Sequence, residues 1–349
     1  MAGIDAVAFG KAFRELVLSQ KSTVSVLSSI SKRCGILPDS SSTKKAVLVE
    51  QITSQISAPS LINNHDYQSA PFRLLSIDMG LKNFSFCRLE IPSFPMNGNY
   101  KPVVKQWNKM NLNEYTGITD DRFIPTNYSG IVNKIISNLI FNPESLQTKP
   151  DLIIIERQRF RTGGHKNVQE HILKTNVLEF SLISALQTCT YLQPKKYNSK
   201  LQSVSPAAMA GYWVDYCKLR DPKIDQKSKD LRVDLVHEWL SRHLLGSPLE
   251  SIISEPEFII GDNFDLSETT DDLIHLKKYR SNSKRVYKMV KYLNTKNKTG
   301  EIIIDDSESS EKGDDMADSL LHGLAYVHYE LNRLKLIEAV NNNERLDKF

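Results

Sequence analysis

Two short apolar runs in this chain each stop on a carboxylate. Leu74-Leu75-Ser76-Ile77 runs into Asp78, and Leu152-Ile153-Ile154-Ile155 runs into Glu156. Runs this short, closed by turn signals such as Met79-Gly80, read as buried strands rather than helices. A carboxylate carried to the end of a buried strand is costly to desolvate alone, so it is normally paired or bound to a metal. These two runs therefore call for a sheet that brings acids to one edge.

The surrounding pattern supplies the rest of an α/β domain. Residues 83–91 alternate after the first acid and predict a second strand in a hairpin. Pro102–Leu112 predicts a third. Ile, Val and Leu recur at helical spacing over 128–142, and long amphipathic helices are predicted over 168–187, 230–244 and 316–336. Residues 201–206 read as a further strand and 206–214 as the start of another helix. The expected class is α/β, a mixed five-stranded sheet flanked by helices. The acidic stretch 248–272 and the polar stretch 305–313 read as exposed loops.

Ahead of this domain, residues 1–57 read as a small helical module, with Gly35 stopping one helix and Ser42 or Thr43 able to cap the next. The polar, proline-bounded residues 58–71 read as a linker. The main domain spans 72–337, and 338–349 reads as a polar tail.

A third group of acids lies at the start of the last long helix, in Asp314-Asp315-Met316-Ala317-Asp318. Asp314 and Asp318 are spaced i, i+4, and Asp315 and Asp318 i, i+3, so either pair shares a helix face. Taken singly, these acids have ordinary roles: Asp78 can cap a turn, Asp314 and Asp315 suit a helix N-terminus, and Glu156 can pair with an arginine. Together they point to a cation, because like charges held close destabilise one another unless neutralised. All-oxygen ligands select Mg²⁺ or Mn²⁺. Two such ions roughly 3.5–4 Å apart can activate water against a phosphodiester. The four cysteines form no CxxC pair and give no zinc spacing. No stretch reaches the roughly 18 apolar residues of a membrane span.

Charge distribution adds nucleic acid to the expected partners. Residues 273–300 carry nine Lys or Arg and no acid, while 248–272 carry eight acids and no Lys or Arg. Such a basic block is the footprint of a nucleic-acid binder, and charge alone equally fits a solvated helix face. Arg157, Arg159 and Arg161 alternate directly after Glu156 and, if extended, share one side suited to phosphates. Gln158 and Phe160 fall on the other, where an aromatic ring can stack on unpaired bases.

Three motifs in order carry a specific resemblance: Ile77-Asp78-x-Gly80 with its hairpin, Ile155 through Thr162 followed by His171–Glu179, and Asp314 through His322. Over residues 72–335 the chain resembles the RNase H-like nucleases, within them the Holliday junction resolvases, and specifically the fungal mitochondrial cruciform-cutting endonucleases. Residues 27–52 resemble the SAP fold, a DNA-binding module.

The resemblance implies a homodimer that nicks four-way DNA junctions symmetrically with two Mg²⁺ ions per site, Mn²⁺ substituting. It implies a mitochondrial location, no small-molecule cofactor and no membrane. The N-terminus, with Asp5 and Glu15, is a weak import signal. Asp78, Glu156 and Asp318 carry over as ligands, with Asp314 or Asp315 as the fourth, and Lys229 carries over beside the site. Lys277, Lys278, Arg280, Lys284, Arg285 and Lys288, interleaved with tyrosines, suit the junction arms. The alternatives are another RNase H-like nuclease acting on flaps or hybrids, and a non-catalytic junction-binding protein.

Overall fold

Strands β1 (Phe72–Asp78), β2 (Phe84–Ile91) and β3 (Val103–Met110) form an antiparallel meander. Strand β4 (Leu152–Glu156) returns parallel to β1, and β5 (Lys200–Val204) lies parallel to β4. The computed structural model from which this architecture is read describes residues 6–36, 44–94, 101–118, 123–142, 149–158, 170–225, 227–246, 255–267, 273, 275–298 and 311–349.

The five expected strands are present, and a sixth joins them. Strand β6 (Ile259–Ile260) pairs in parallel with the edge of β3, giving the order β5-β4-β1-β2-β3-β6. It comes from the acidic stretch expected as a loop. Two backbone bonds of 2.9 Å, Ile259 N–H to Pro102 O and Gly261 N–H to Val104 O, satisfy the edge of β3. Phe258, fully buried, packs its ring near Trp107 and Trp239.

Alternate residues of a strand face opposite sides of its sheet, and that parity builds two cores. Leu75, Ile77, Ile153 and Ile155 pack under α5 (Pro125–Lys134), its π-helical continuation (Ile135–Ile140) and α6 (Glu170–Leu192). A short helix, α4 (Leu112–Thr116), precedes them. Leu74, Leu152, Ile154 and Trp107 face the other way, under α7 (Pro206–Lys218), α8 (Ser228–Leu245), α9 (Asn282–Thr295) and α10 (Asp314–Asn341). Helix α10 crosses the sheet at Gly323. A Cβ there would stand 2.8 Å from Cδ1 of Leu89 and 3.2 Å from Cδ2 of Leu74, so glycine lets the helix sit close.

At the N-terminus, α1 (Ala6–Ser19), α2 (Val24–Arg33) and α3 (Lys45–Ile56) bury Phe13, Leu27 and Ile52 among themselves. Gly35, at φ +65°, ends α2 as expected. The residue capping α3 is Lys44, which makes no side-chain cap bond; Ser42 and Thr43 lie outside the described residues.

Two boundaries differ from the expected division. There is no free polar tail: α10 continues to Asn341, and Leu336, Val340 and Leu346 bury against the N-terminal helices. Nor do residues 58–71 form a free linker. Ile62 is fully buried, Tyr67 Oη donates to Ile62 O at 2.8 Å, and Arg333 Nη2 donates to the carbonyls of Gln55, Ile56 and Ala58. The polar composition that marked both segments conceals a few apolar anchors too sparse to show a period. Among the described residues, no helix is long and apolar enough to cross a membrane.

Candidate active site

Strand register brings the first two acids together. Strands β1 and β4 pair in parallel up to Ile77 with Ile155, and Asp78 and Glu156 are the next residue on each. By parity both side chains fall on the α10 side, with Leu74 and Leu152. Their carboxyl groups hydrogen-bond each other.

The third group arrives on α10, whose first turn is fastened to β3. Trp107 Nε1 donates to Met316 O at 3.0 Å, and Lys109, two residues on and on the same face, donates to Lys312 O at 2.9 Å and Asp315 Oδ2 at 3.0 Å. Gly313 N–H bonds to Ser283 at the start of α9, and a Cβ on Gly313 would meet Ser283 O at 2.5 Å. Asp315 and Asp318 thereby act on Asp78, whereas Asp314 bonds Lys229 Nζ at 2.6 Å and Ser283. Both spacings put a partner on the face of Asp318; the docking of α10 on β3 sets Asp315 toward Asp78 and leaves Asp314 to Lys229 and Ser283.

The electrostatics follow from this crowding. Burial, then the charges of Glu156, Asp315 and Asp318, push the Asp78 carboxyl well above the usual carboxylate range. Burial also favours the neutral form of Glu156, but contact with His322, the Asp78 hydrogen bond and the Arg232 charge outweigh it and hold Glu156 low. The proton that this pair shares therefore rests on Asp78. His322 Nε2, which has no well-aligned acceptor, lies 3.3 Å from Glu156 Oε2. Asp315 is raised by burial, against the pull of Lys109, and by the neighbouring Asp314 and Asp318. Asp314 is lowered, because its bonds from Lys229 and Ser283 outweigh burial. Arg232 on α8 grips Asp318 with both arms, Nε to Oδ1 at 2.8 Å and Nη2 to Oδ2 at 3.0 Å.

This donor set fits a hard divalent cation: crowded carboxylate oxygens whose mutual repulsion such an ion relieves. Among the described residues, however, no three His, Cys, Asp or Glu side chains stand as a ready metal-holding group. Asp314, Asp315 and Asp318 are each paired with a cation instead.

The expected nucleic-acid residues separate into three kinds. Arg157 is exposed beside Glu156, and Gln158 is pinned by its backbone N–H to Glu179 Oε2 at 2.8 Å. Arg159, Phe160 and Arg161 lie outside the described residues, as does the side chain of Lys277.

The basic block is less free than its composition implies. Lys284 and Lys288 both clasp Glu311, and Arg285 turns inward to Tyr279 O and Asn282 Oδ1. Tyr287 is buried in the core and Tyr292 packs against it, because α9 is amphipathic and its tyrosines lie on the inner stripe. Lys278, beside the ring of Tyr279, and Arg280 remain exposed. Lys229 pairs with Asp314 at 2.6 Å.

Lys109 and Arg232 carry no expectation from the sequence. Parity with Trp107 is the signal that could have flagged Lys109, since a tryptophan face is a core face. Arg232 has no such signal.

Residues 74–336 match the family described as mitochondrial resolvase Ydc2 / RNA splicing MRS1. Two relatives are both named cruciform cutting endonuclease 1, mitochondrial. The one from Saccharomyces cerevisiae is 29% identical over 285 residues, 77% of this chain and 72% of the relative. The one from Schizosaccharomyces pombe is 30% identical over 175 residues, 48% of this chain and 62% of the relative. The crystal structure of the yeast mitochondrial Holliday junction resolvase Ydc2 superposes on 92% of this chain and 99% of its own, with TM-score 0.50 at 20% identity. That likeness, with the six-stranded mixed sheet and its two helical layers, makes the fold RNase H-like. Matched over three quarters of its length, with both strand-end acids and the acidic helix inside the matched span, the chain belongs to the mitochondrial resolvase Ydc2 / RNA splicing MRS1 family.

Proposed function

We propose that the chain is a Mg²⁺-dependent endodeoxyribonuclease that resolves four-way DNA junctions by paired nicks, working as a homodimer in mitochondria. The observation that carries this reading is the meeting of Asp78, Glu156, Asp315 and Asp318 from three distant parts of the chain. The names of the two relatives supply the substrate and the compartment. A purely architectural or RNA-binding role would give this costly cluster of buried acids no task.

Asp78, Glu156, Asp315 and Asp318 would hold the metal, and Asp314 stands outside them. Bound divalent ions supply an activated water and charge stabilisation at the leaving oxygen. The chain's own residues position the strand. Lys229, mostly exposed beside the acids, and Arg157, exposed after Glu156, meet the phosphates entering the site. Incubation with a fixed four-way junction and a duplex of matching sequence tests the reading. The junction is cut in Mg²⁺ and left whole in EDTA, and the duplex survives both. Cutting that ignores EDTA, or that favours the duplex, overturns it.

Helix α6 supplies the two-fold contact in this proposal. Leu173, Phe180 and Tyr191, spaced seven and eleven residues apart, share one face and are 42%, 75% and 85% exposed. A two-fold junction suits a self-complementary patch of this kind. Phe180→Asp should weaken the dimer by about 30-fold or more, as expected for an interface anchor worth at least ~2 kcal/mol. Sedimentation velocity then shows monomer at micromolar protein, and paired nicks give way to single ones. An unchanged dimer rules this face out.

A further inference from the structure

Each acid near the start of α10 that acts on Asp78 is held by its own cation from another wall of the site. The ammonium of Lys109 comes from β3, its side chain 0% exposed, and bonds Asp315 Oδ2 and Lys312 O at 3.0 and 2.9 Å. The guanidinium of Arg232 comes from α8. It bonds both oxygens of Asp318 at 2.8 and 3.0 Å and is itself braced by Ser228, through Nη1 to Oγ at 2.8 Å and to O at 3.2 Å.

A buried cation against a carboxylate can do one of two things. It can compete with a metal ion for that carboxylate, or it can orient it. The bonding favours orientation. Each carboxylate oxygen has two lone-pair sites, and the Arg232 fork takes one on each oxygen of Asp318, leaving the others open. The fork is planar and bidentate, so it fixes the plane of the carboxylate as well as its place. Aspartates on a helix would otherwise rotate about χ1 and χ2, and mutual repulsion within the cluster would drive them apart.

We propose that Lys109 and Arg232 are positioning residues, which set Asp315 and Asp318 toward Asp78 and Glu156 and so raise the cluster's hold on a divalent ion before DNA arrives. This rests on the metal-dependent reading above, and the test separates the two. Wild type, Arg232→Lys and Lys109→Met are titrated with Mn²⁺ by calorimetry without DNA, and melted in EDTA to establish that each folds. Arg232→Lys keeps the charge and loses the fork, so it isolates orientation from electrostatics. Lys109→Met keeps the length and loses the bond, and it probes the same claim from the other wall should one variant fail to fold.

Both variants should bind Mn²⁺ about 10- to 100-fold more weakly than wild type, the usual cost of removing a residue that orients a ligand. Wild-type affinity in Arg232→Lys overturns the proposal, and so does tighter binding in either variant, which is what competition with the ion produces. Wild-type protein that takes up no Mn²⁺ defeats the metal-dependent reading itself; wild-type protein that binds Mn²⁺, with variants that match it, defeats this inference alone.

Discussion

Asp78→Asn abolishes junction cleavage while leaving junction binding at least as tight as in wild type. The expected loss is on the order of 10³-fold or more, because several kcal/mol of transition-state stabilisation depend on this cluster and each ~1.4 kcal/mol is tenfold in rate. Single-turnover cleavage reads the loss and a mobility-shift assay reads the binding. The same substitution should stabilise the metal-free protein, with a sign that follows from the proton. In the folded state Asp78 keeps its proton above the usual carboxylate range, through burial and then the charges of Glu156, Asp315 and Asp318. In the unfolded chain it loses that proton near about pH 4. Above that pH the folded state binds more protons than the unfolded one, so the metal-free stability of the wild type declines as pH rises. Asp78→Asn has no such proton, and its advantage in melting temperature in EDTA should widen from about pH 5 to pH 8. An advantage that shrinks over that range, or a variant that still cuts junctions, would contradict the role given to Asp78.

Trp107→Ala should cost about 3–5 kcal/mol, the usual range for emptying a buried tryptophan site. Trp107 is 1% exposed on β3, and its ring packs edge-on to Phe258 at 6.4 Å between centroids. For a domain of this size that is a fall in melting temperature on the order of 10 °C. The effect extends to the chemistry, because Trp107 Nε1 donates to the carbonyl of Met316, between Asp315 and Asp318. Trp107→Phe separates the two effects. It keeps most of the apolar volume and removes only the Nε1 donor; the Met316 carbonyl keeps its bond from Ser319 Oγ at 2.9 Å, so the cost is that of one net hydrogen bond, about 0.5–1.5 kcal/mol. Cleavage by the folded Trp107→Phe protein should fall below wild type, since the start of α10, which carries both acids, loses one of its ties to β3 and keeps the bonds of Lys109 and Gly313. Calorimetry and single-turnover kinetics measure the pair. Full activity in a stable Trp107→Phe variant would show that α10 is held in place without this bond.

Local periodicity determined much of this protein. Apolar runs that end on Asp78 and Glu156 can be satisfied only as buried strands with acids at their ends, and parity ties each acid to the face of the residues two and four before it. The helical spacing of the N-terminal segments and of residues 316–336 was equally plain, because each amphipathic face repeats within a few turns. Other features depended on partners remote in the chain. Asp314 and Asp315 both share a helix face with Asp318, and the docking of α10 on β3 through Trp107 and Lys109 decides which acts on Asp78. Lys109 and Arg232 lie more than 80 residues from the acids they hold. The lysines of α9 look free in sequence until Glu311 folds back onto two of them, and the polar composition of 338–349 hides Val340 and Leu346 beneath the N-terminal helices. A repeat of two or 3.6 residues dictates the face on which a side chain lies, because the backbone geometry is local. Which residue meets it there is set by strand register and helix docking between segments hundreds of residues apart, for which the chain carries no local signal.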